Sequence, residues 1–278
     1  MAQRADAHIH LFERPLGGTF PDRAGVRMDE AACFDSLAKE NGVAAALIVC
    51  YQGCEGNEGN NEYVIGLQSR YDWVRPAAHI EPDDTPEIDT LEKWRDQGVV
   101  GLVMYPQSAE AVRACPDEIW EWMIANKWVL SVNSKGDAWD VWQEVLDRHS
   151  QLRLIMSHLG LPDQVGERID QVQARERLRA VIALARFPQV RVKLSGFYAL
   201  TEVPYDHPYE LAWPLVEALI EPFGVERLLF ASDYTPCLNH QTYSQTLGLF
   251  WKMPFLSDGD RDRIAGENLL ALLAEAGS

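Results

Sequence analysis

Two rhythms run along the chain. Short apolar runs rich in Val, Ile and Leu recur roughly every 25 to 40 residues, separated by stretches whose apolar residues fall at helical spacing. Alternation of this kind predicts βαβ units and a parallel sheet. The strand runs are Asp6–His10, Val43–Tyr51, Val74–Glu81, Val99–Tyr105, Trp128–Asn133, Leu152–His158, Val190–Ser195 and Leu228–Asp233. Eight strands are enough to close a barrel, so the expected fold is a (β/α)8 barrel, regular or somewhat distorted. Helices are predicted at Asp29–Glu40, Trp139–Arg148, Arg177–Arg186, Pro208–Phe223 and Arg261–Ala274, with Pro214 starting or kinking its helix. Trp94, Trp120, Trp122 and Trp142 lie on such stretches and read as packing residues.

The length of 278 residues suits one barrel, which needs about 250, though two small domains would fit the number equally well. No linker or low-complexity segment divides the chain, so residues 1–278 read as one domain. The net charge of −17 argues against nucleic acid and against an anionic membrane surface, because both need clustered Lys and Arg. A small-molecule substrate is the expected partner, and a homo-oligomer is compatible with the pattern. Five cysteines, with no Cys-x-x-Cys pair, point to reduced thiols and a cytoplasmic setting. Cys50 and Cys54 read as ordinary thiols rather than half of a metal site. The N-terminus has no apolar segment of signal-peptide type, and no run is long enough to cross a bilayer.

Chemistry concentrates at the strand ends. In Asp6-Ala7-His8-Ile9-His10, residues two apart share a face, so His8 and His10 project together and Asp6 lies with them. Paired neutral imidazoles suit a divalent ion, although His-x-His alone is weak evidence. Three further strands end on ionisable groups: His158, Asp233, and the Lys193/Ser195 pair. In isolation, His158 would read as a structural histidine and Asp233 as a helix cap. Together they would converge on the C-terminal rim, where barrel enzymes keep their catalytic groups. Lys193 has two readings, an interior lysine paired with an acid such as Asp6, or an outward residue snorkelling between helices. Tyr51, His79, Tyr105, Asn133 and Lys135 stand near strand ends two to five and are candidates for lining a substrate pocket. His149, His207 and His240 read as surface or loop histidines. The Gly- and Asn-rich stretch Gln52–Asn61 reads either as a surface loop or as a lid over the rim.

The pattern His8-x-His10, His158 and Asp233 resembles the amidohydrolase superfamily, and more narrowly its amidohydrolase-related (amidohydrolase 2) branch of sugar-acid lactonases, 2-pyrone-4,6-dicarboxylate lactonase and zinc decarboxylases. Val192-Lys193-Leu194-Ser195-Gly196, Ser157-His158-Leu159-Gly160 and Gly266-Glu267-Asn268-Leu269-Leu270 are weaker similar patches. The resemblance implies that His8, His10 and Asp233 hold a metal where one is bound. It further implies that Asp233 takes a proton from the attacking water and that His158 holds or polarises the substrate. Two departures stand out. Strand four carries no lysine that could be carbamylated, which disfavours a two-metal site, and Asn133 takes the place of a strand-five histidine. One weakly held divalent ion, zinc first among candidates, is therefore expected, and catalysis without metal is also compatible with the pattern. The implied reaction is hydrolysis of a lactone. A metal-dependent decarboxylase and a non-catalytic binding barrel are the alternatives. The scarcity of arginine near the strand ends favours a neutral polyol lactone over a dicarboxylate.

Overall fold

In the computed structural model, which describes residues 3–14 and 28–276, the eight predicted strands form one parallel sheet. They are β1 (Arg4–Ile9), β2 (Val43–Val49), β3 (Val74–His79), β4 (Gly101–Met104), β5 (Val129–Val132), β6 (Arg153–Met156), β7 (Arg191–Leu194) and β8 (Leu228–Phe230), hydrogen-bonded in chain order. The ring closes just past the strand ends. Ile9 bridges Tyr234, and the Asp233 amide donates to the His8 carbonyl at 2.9 Å. The fold is a (β/α)8 barrel.

Small and branched side chains fill the interior, among them Ala5, Ala7, Ala45, Leu47, Val49, Ala77, Val103, Val129, Ile155, Leu229 and Ala231. Helix Asn268–Glu275 adds Leu269, Leu272 and Leu273 to that cluster. Its Asn268 side chain donates to the carbonyls of Val225 and Leu228, which places the helix at the entry end of β8. The outer wall of the sheet packs against the helices through a larger cluster that includes Trp120, Trp128, Trp139 and Trp142. Trp120 and Trp142 are sealed in it, while Trp94 and Trp122 lean on it half-buried, as expected of packing residues.

Most strands end one or two residues earlier than their apolar runs, so the polar residue closing each run stands at the rim rather than inside the sheet. The helix Glu30–Asn41 begins where Asp29 accepts from the Ala32 amide and stops at Gly42, whose φ of +69° few other residues adopt. Pro214 sits in the first turn of Trp213–Phe223 and starts it. Two predicted helices are interrupted. Arg177–Arg186 resolves into Gln171–Arg177, Arg179–Ala183 and a 3-10 turn at Leu184–Arg186. Arg261–Ala274 resolves into Asp258–Asp262 and Asn268–Glu275, joined by a π turn at Arg263–Glu267. Periodicity shows which face is buried, but not where hydrogen bonding changes step.

The Gln52–Asn61 stretch is tied down at its far end, where helix Asn60–Leu67 begins. Asn60 accepts from the Tyr51 amide at 2.9 Å and donates to the Leu11 carbonyl at 2.8 Å. Asn61 clamps both backbone groups of His79, at 2.8 and 3.0 Å. Much of the 12–27 loop lies outside the described residues. Among those described, no helix is long and apolar enough to cross a membrane.

Candidate active site

Strand β1 is not regular. From the Asp6–Ala46 pairing to the Ile9–Ile48 pairing it advances three residues while β2 advances two. The extra residue is a bulge, a device that re-aims side chains. It corrects the expectation that Asp6 shares a row with His8 and His10. The Asp6 carboxylate instead accepts from the Ser232 amide at 2.9 Å, the His8 amide at 3.1 Å and the Tyr243 hydroxyl at 3.1 Å. It pins β1 to β8, and burial raises its pKa to about 6 against the pull of those donors.

His8 and His10 meet at their Nε2 atoms, 3.0 Å apart, and each Nε2 lies 3.6 Å from Asp233 Oδ1. One ligand atom from each of these three residues falls within 4.8 Å of the others. The donor set can hold a metal ion. Burial lowers the pKa of both imidazoles, well below the usual value for His8, which favours the neutral form that metal coordination needs. The Val49 carbonyl, 2.8 Å from His10 Nδ1, places the hydrogen there and leaves Nε2 bare. These observations fit a single divalent ion.

His158 stands beside them, with its ring centroid 4.8 Å from that of His8. Its Nδ1 lies 2.8 Å from Ser195 Oγ. Its φ is +52° and that of Asp233 is +59°, a region non-glycine residues seldom occupy. Such strain persists only where the surroundings enforce it. Gly196 allows the close approach of β6 and β7, since a Cβ there would come within 2.8 Å of His158 Nδ1.

Lys193 is interior, which excludes the snorkelling alternative. Its Nζ lies 2.6 Å from Ser131 Oγ and 3.2 Å from His8 Nδ1, with no solvent exposure. The anticipated pairing with Asp6 is not made, because other donors occupy that carboxylate. Burial lowers the lysine pKa to about 7, against the attraction of Asp233 and Asp6.

Tyr51, His79 and Tyr105 form a triangle of rings with centroids 5.0 to 5.6 Å apart. Tyr105 lies close enough to Asp233 for its carboxylate to help raise the phenol pKa, after burial. His79 Nδ1 accepts from the Gln52 amide at 3.2 Å, and burial lowers its pKa to about 4. Asn133 follows β5 and is half-buried. Lys135 lies farther out, its side chain 70% exposed and 3.9 Å from Asp163.

The family model described as amidohydrolase matches residues 5–273. The chain belongs to the amidohydrolase family. An L-fucono-1,5-lactonase of Burkholderia multivorans is 27% identical over 228 residues, covering 76% of each chain. A zinc-bound amidohydrolase structure from Burkholderia multivorans superposes with a TM-score of 0.79 at 20% identity, covering 98% of this chain and 99% of its own. A "probable 2-pyrone-4,6-dicarboxylic acid hydrolase" of Acinetobacter baumannii, with citric acid bound, superposes at 0.73 and 18% identity, covering 98% and 99%.

Within this amidohydrolase, one neighbour of Asp233 escaped the sequence reading. The Tyr198 hydroxyl donates to Asp233 Oδ2, which leaves Oδ1 facing the two histidines. Tyr198 sits one turn past β7 beside Gly196, and no spacing signal distinguishes it. Its ring stacks on His240 at 4.6 Å, which brings that loop histidine to the edge of the site. Ser131 and Ser157 were also passed over, because buried serines look like strand filler. His149 is not a surface residue as expected, since it is 9% exposed and lies 3.0 Å from Asp117. His207 is half-buried. All five cysteines are free, and the Asn57 side-chain amide donates to Cys54 Sγ at 3.1 Å.

Proposed function

We propose that the protein is a hydrolase that opens the lactone of a neutral sugar acid, with Asp233 as general base. The observation that carries this reading is the aim of the carboxylate. One oxygen is held by Tyr198, and the other faces two imidazoles at equal distance. A carboxylate so fixed can take a proton from water as the water oxygen bonds to the lactone carbonyl carbon. The ring C–O bond then breaks, and the same proton passes to the departing alkoxide, giving the hydroxy acid. With the Ser195 hydroxyl donating to Nδ1, His158 offers its Nε2–H to the carbonyl oxygen, where charge develops.

His8, His10 and Asp233 would hold the metal, with zinc the proposed ion. A bound divalent ion supplies Lewis-acid activation of the carbonyl and acidifies water. Asn133 in place of an imidazole supports a weakly held ion.

The substrate class follows from what lines the mouth. Tyr51, His79 and Tyr105 offer aromatic faces and hydroxyls for a polyol ring. Of the two lysines that the sequence places near strand ends five and seven, Lys193 is sealed behind His8 and Lys135 is paired outward. Neither is placed to receive a dicarboxylate. The lactonase relative supports the same class. Five free thiols support a reducing compartment such as the cytoplasm.

Acid release should be followed with L-fucono-1,5-lactone, other sugar lactones and a pyrone dicarboxylate, before and after chelation, with CO2 measured in parallel. Turnover of neutral lactones is expected. CO2 release would favour a decarboxylase, and silence towards every substrate a binding barrel.

A further inference from the structure

The two histidines of β1 are backed by opposite kinds of partner. Behind His10 Nδ1 stands the Val49 carbonyl, which only accepts. Behind His8 Nδ1 stand Lys193 Nζ at 3.2 Å and Ser157 Oγ at 3.4 Å. A lysine nitrogen always has hydrogens to give. When Nζ donates, His8 Nδ1 accepts, and the ring hydrogen sits on Nε2. That hydrogen meets the bare Nε2 of His10 at 3.0 Å. The result is one directed chain, from Lys193 to His8 to His10 to the Val49 carbonyl, with every ring nitrogen satisfied.

This arrangement opposes an ion. The Nε2 lone pair of His8 is free for coordination only when its hydrogen moves to Nδ1. There the available acceptor is Ser157 Oγ, at the longer distance, and the Lys193 donor competes for the same atom. Ligand histidines more usually back onto a carboxylate or a carbonyl.

We propose that Lys193 sets the metal affinity of this centre, holding the His8–His10 pair in a self-satisfied, metal-free hydrogen-bonded state, while Ser157 supports the ion-binding tautomer. This rests on the reading of His8, His10 and Asp233 as an ion site. It makes Lys193 a positioning residue acting through His8.

The test is zinc affinity of the purified full chain, measured by competition with a chromophoric chelator, with thermal melts of the metal-free forms reporting the fold. Lys193→Met removes the donor and should tighten zinc by about tenfold, the size of effect usual for a residue behind a ligand. Ser157→Ala removes the acceptor and should weaken zinc several-fold. A residue that merely supported the fold would weaken zinc in both variants. Equal or weaker zinc binding by Lys193→Met overturns the proposal. If that variant does not fold, Ser157→Ala decides, and unchanged or tighter binding overturns it. His8→Gln separates the two levels. If zinc binding ignores that change, or neither wild type nor Lys193→Met binds zinc, the ion-site reading fails and the inference falls with it.

Discussion

The two ends of the barrel handle ionisable groups in opposite ways. At the entry end, β1, β6 and β7 open on Arg4, Arg153 and Arg191, and Arg227 stands immediately before β8. These guanidinium groups are occupied by backbone carbonyls and a carboxylate. Arg227 donates to the carbonyls of Phe223, Pro222, Ala185 and Phe187, and Arg153 pairs with Glu275. At the exit end, burial lowers the pKa values of His8, His10, His158 and His79, and a lysine is sealed among them with its own pKa lowered. Charge at one end ties strands to helices. At the other, burial moves titrations away from their ordinary values, as is common where reactive groups gather. The fold needs the first end to stand, and the chemistry needs the second.

The contrast can be broken most sharply at the exit end. Asp233→Asn keeps the shape and removes the base. Turnover should fall on the order of 10³-fold, within the range that general-base catalysis contributes, with the melting temperature little changed. Near-full activity in a steady-state assay would remove Asp233 from the mechanism.

The second test is the pH dependence of stability. His79 carries a folded pKa of about 4 against an ordinary 6.5. Between those values the unfolded chain binds a proton that the folded protein refuses. Stability is therefore intact above pH 6.5 and is lost as pH falls towards 4, by at most about 3 kcal/mol. His79→Gln has no such proton to bind. In urea unfolding at pH 7 and pH 4.5, wild type should lose more stability than the variant. Parallel losses would contradict the burial argument.

The smallest effect is expected at the entry end. Arg227→Met strips a half-buried guanidinium from four carbonyls, and should cost about 2 kcal/mol in urea unfolding while leaving kcat/KM unchanged. A loss of activity in folded protein would blur the division between the two ends.

What was legible in the sequence follows the same division. Apolar runs of strand length exposed all eight strands, because a barrel strand is buried on both faces and most of its residues are apolar. His10, His158 and Asp233 were legible because each ends such a run, where an ionisable residue is conspicuous, and His8 because it stands two residues before His10 on the same strand. Asp6 was misplaced because period two assumes a regular strand, and one bulge breaks the row. Tyr198, Ser131 and Ser157 were missed for another reason. Their roles lie in contacts between residues 35 or more positions apart, and hydroxyl side chains give no periodic signal. His149 was misjudged because its partner Asp117 comes from a helix 32 residues away.

The central claim is that side chains from β1, β6 and β8 act on one carbonyl carbon. It is tested most directly by a crystal structure of the Asp233→Asn protein soaked with an unopened sugar lactone. The expected result is a lactone carbonyl lying between residue 233 and His158, beside the His8–His10 pair. A lactone bound elsewhere, with those four residues untouched, would contradict it.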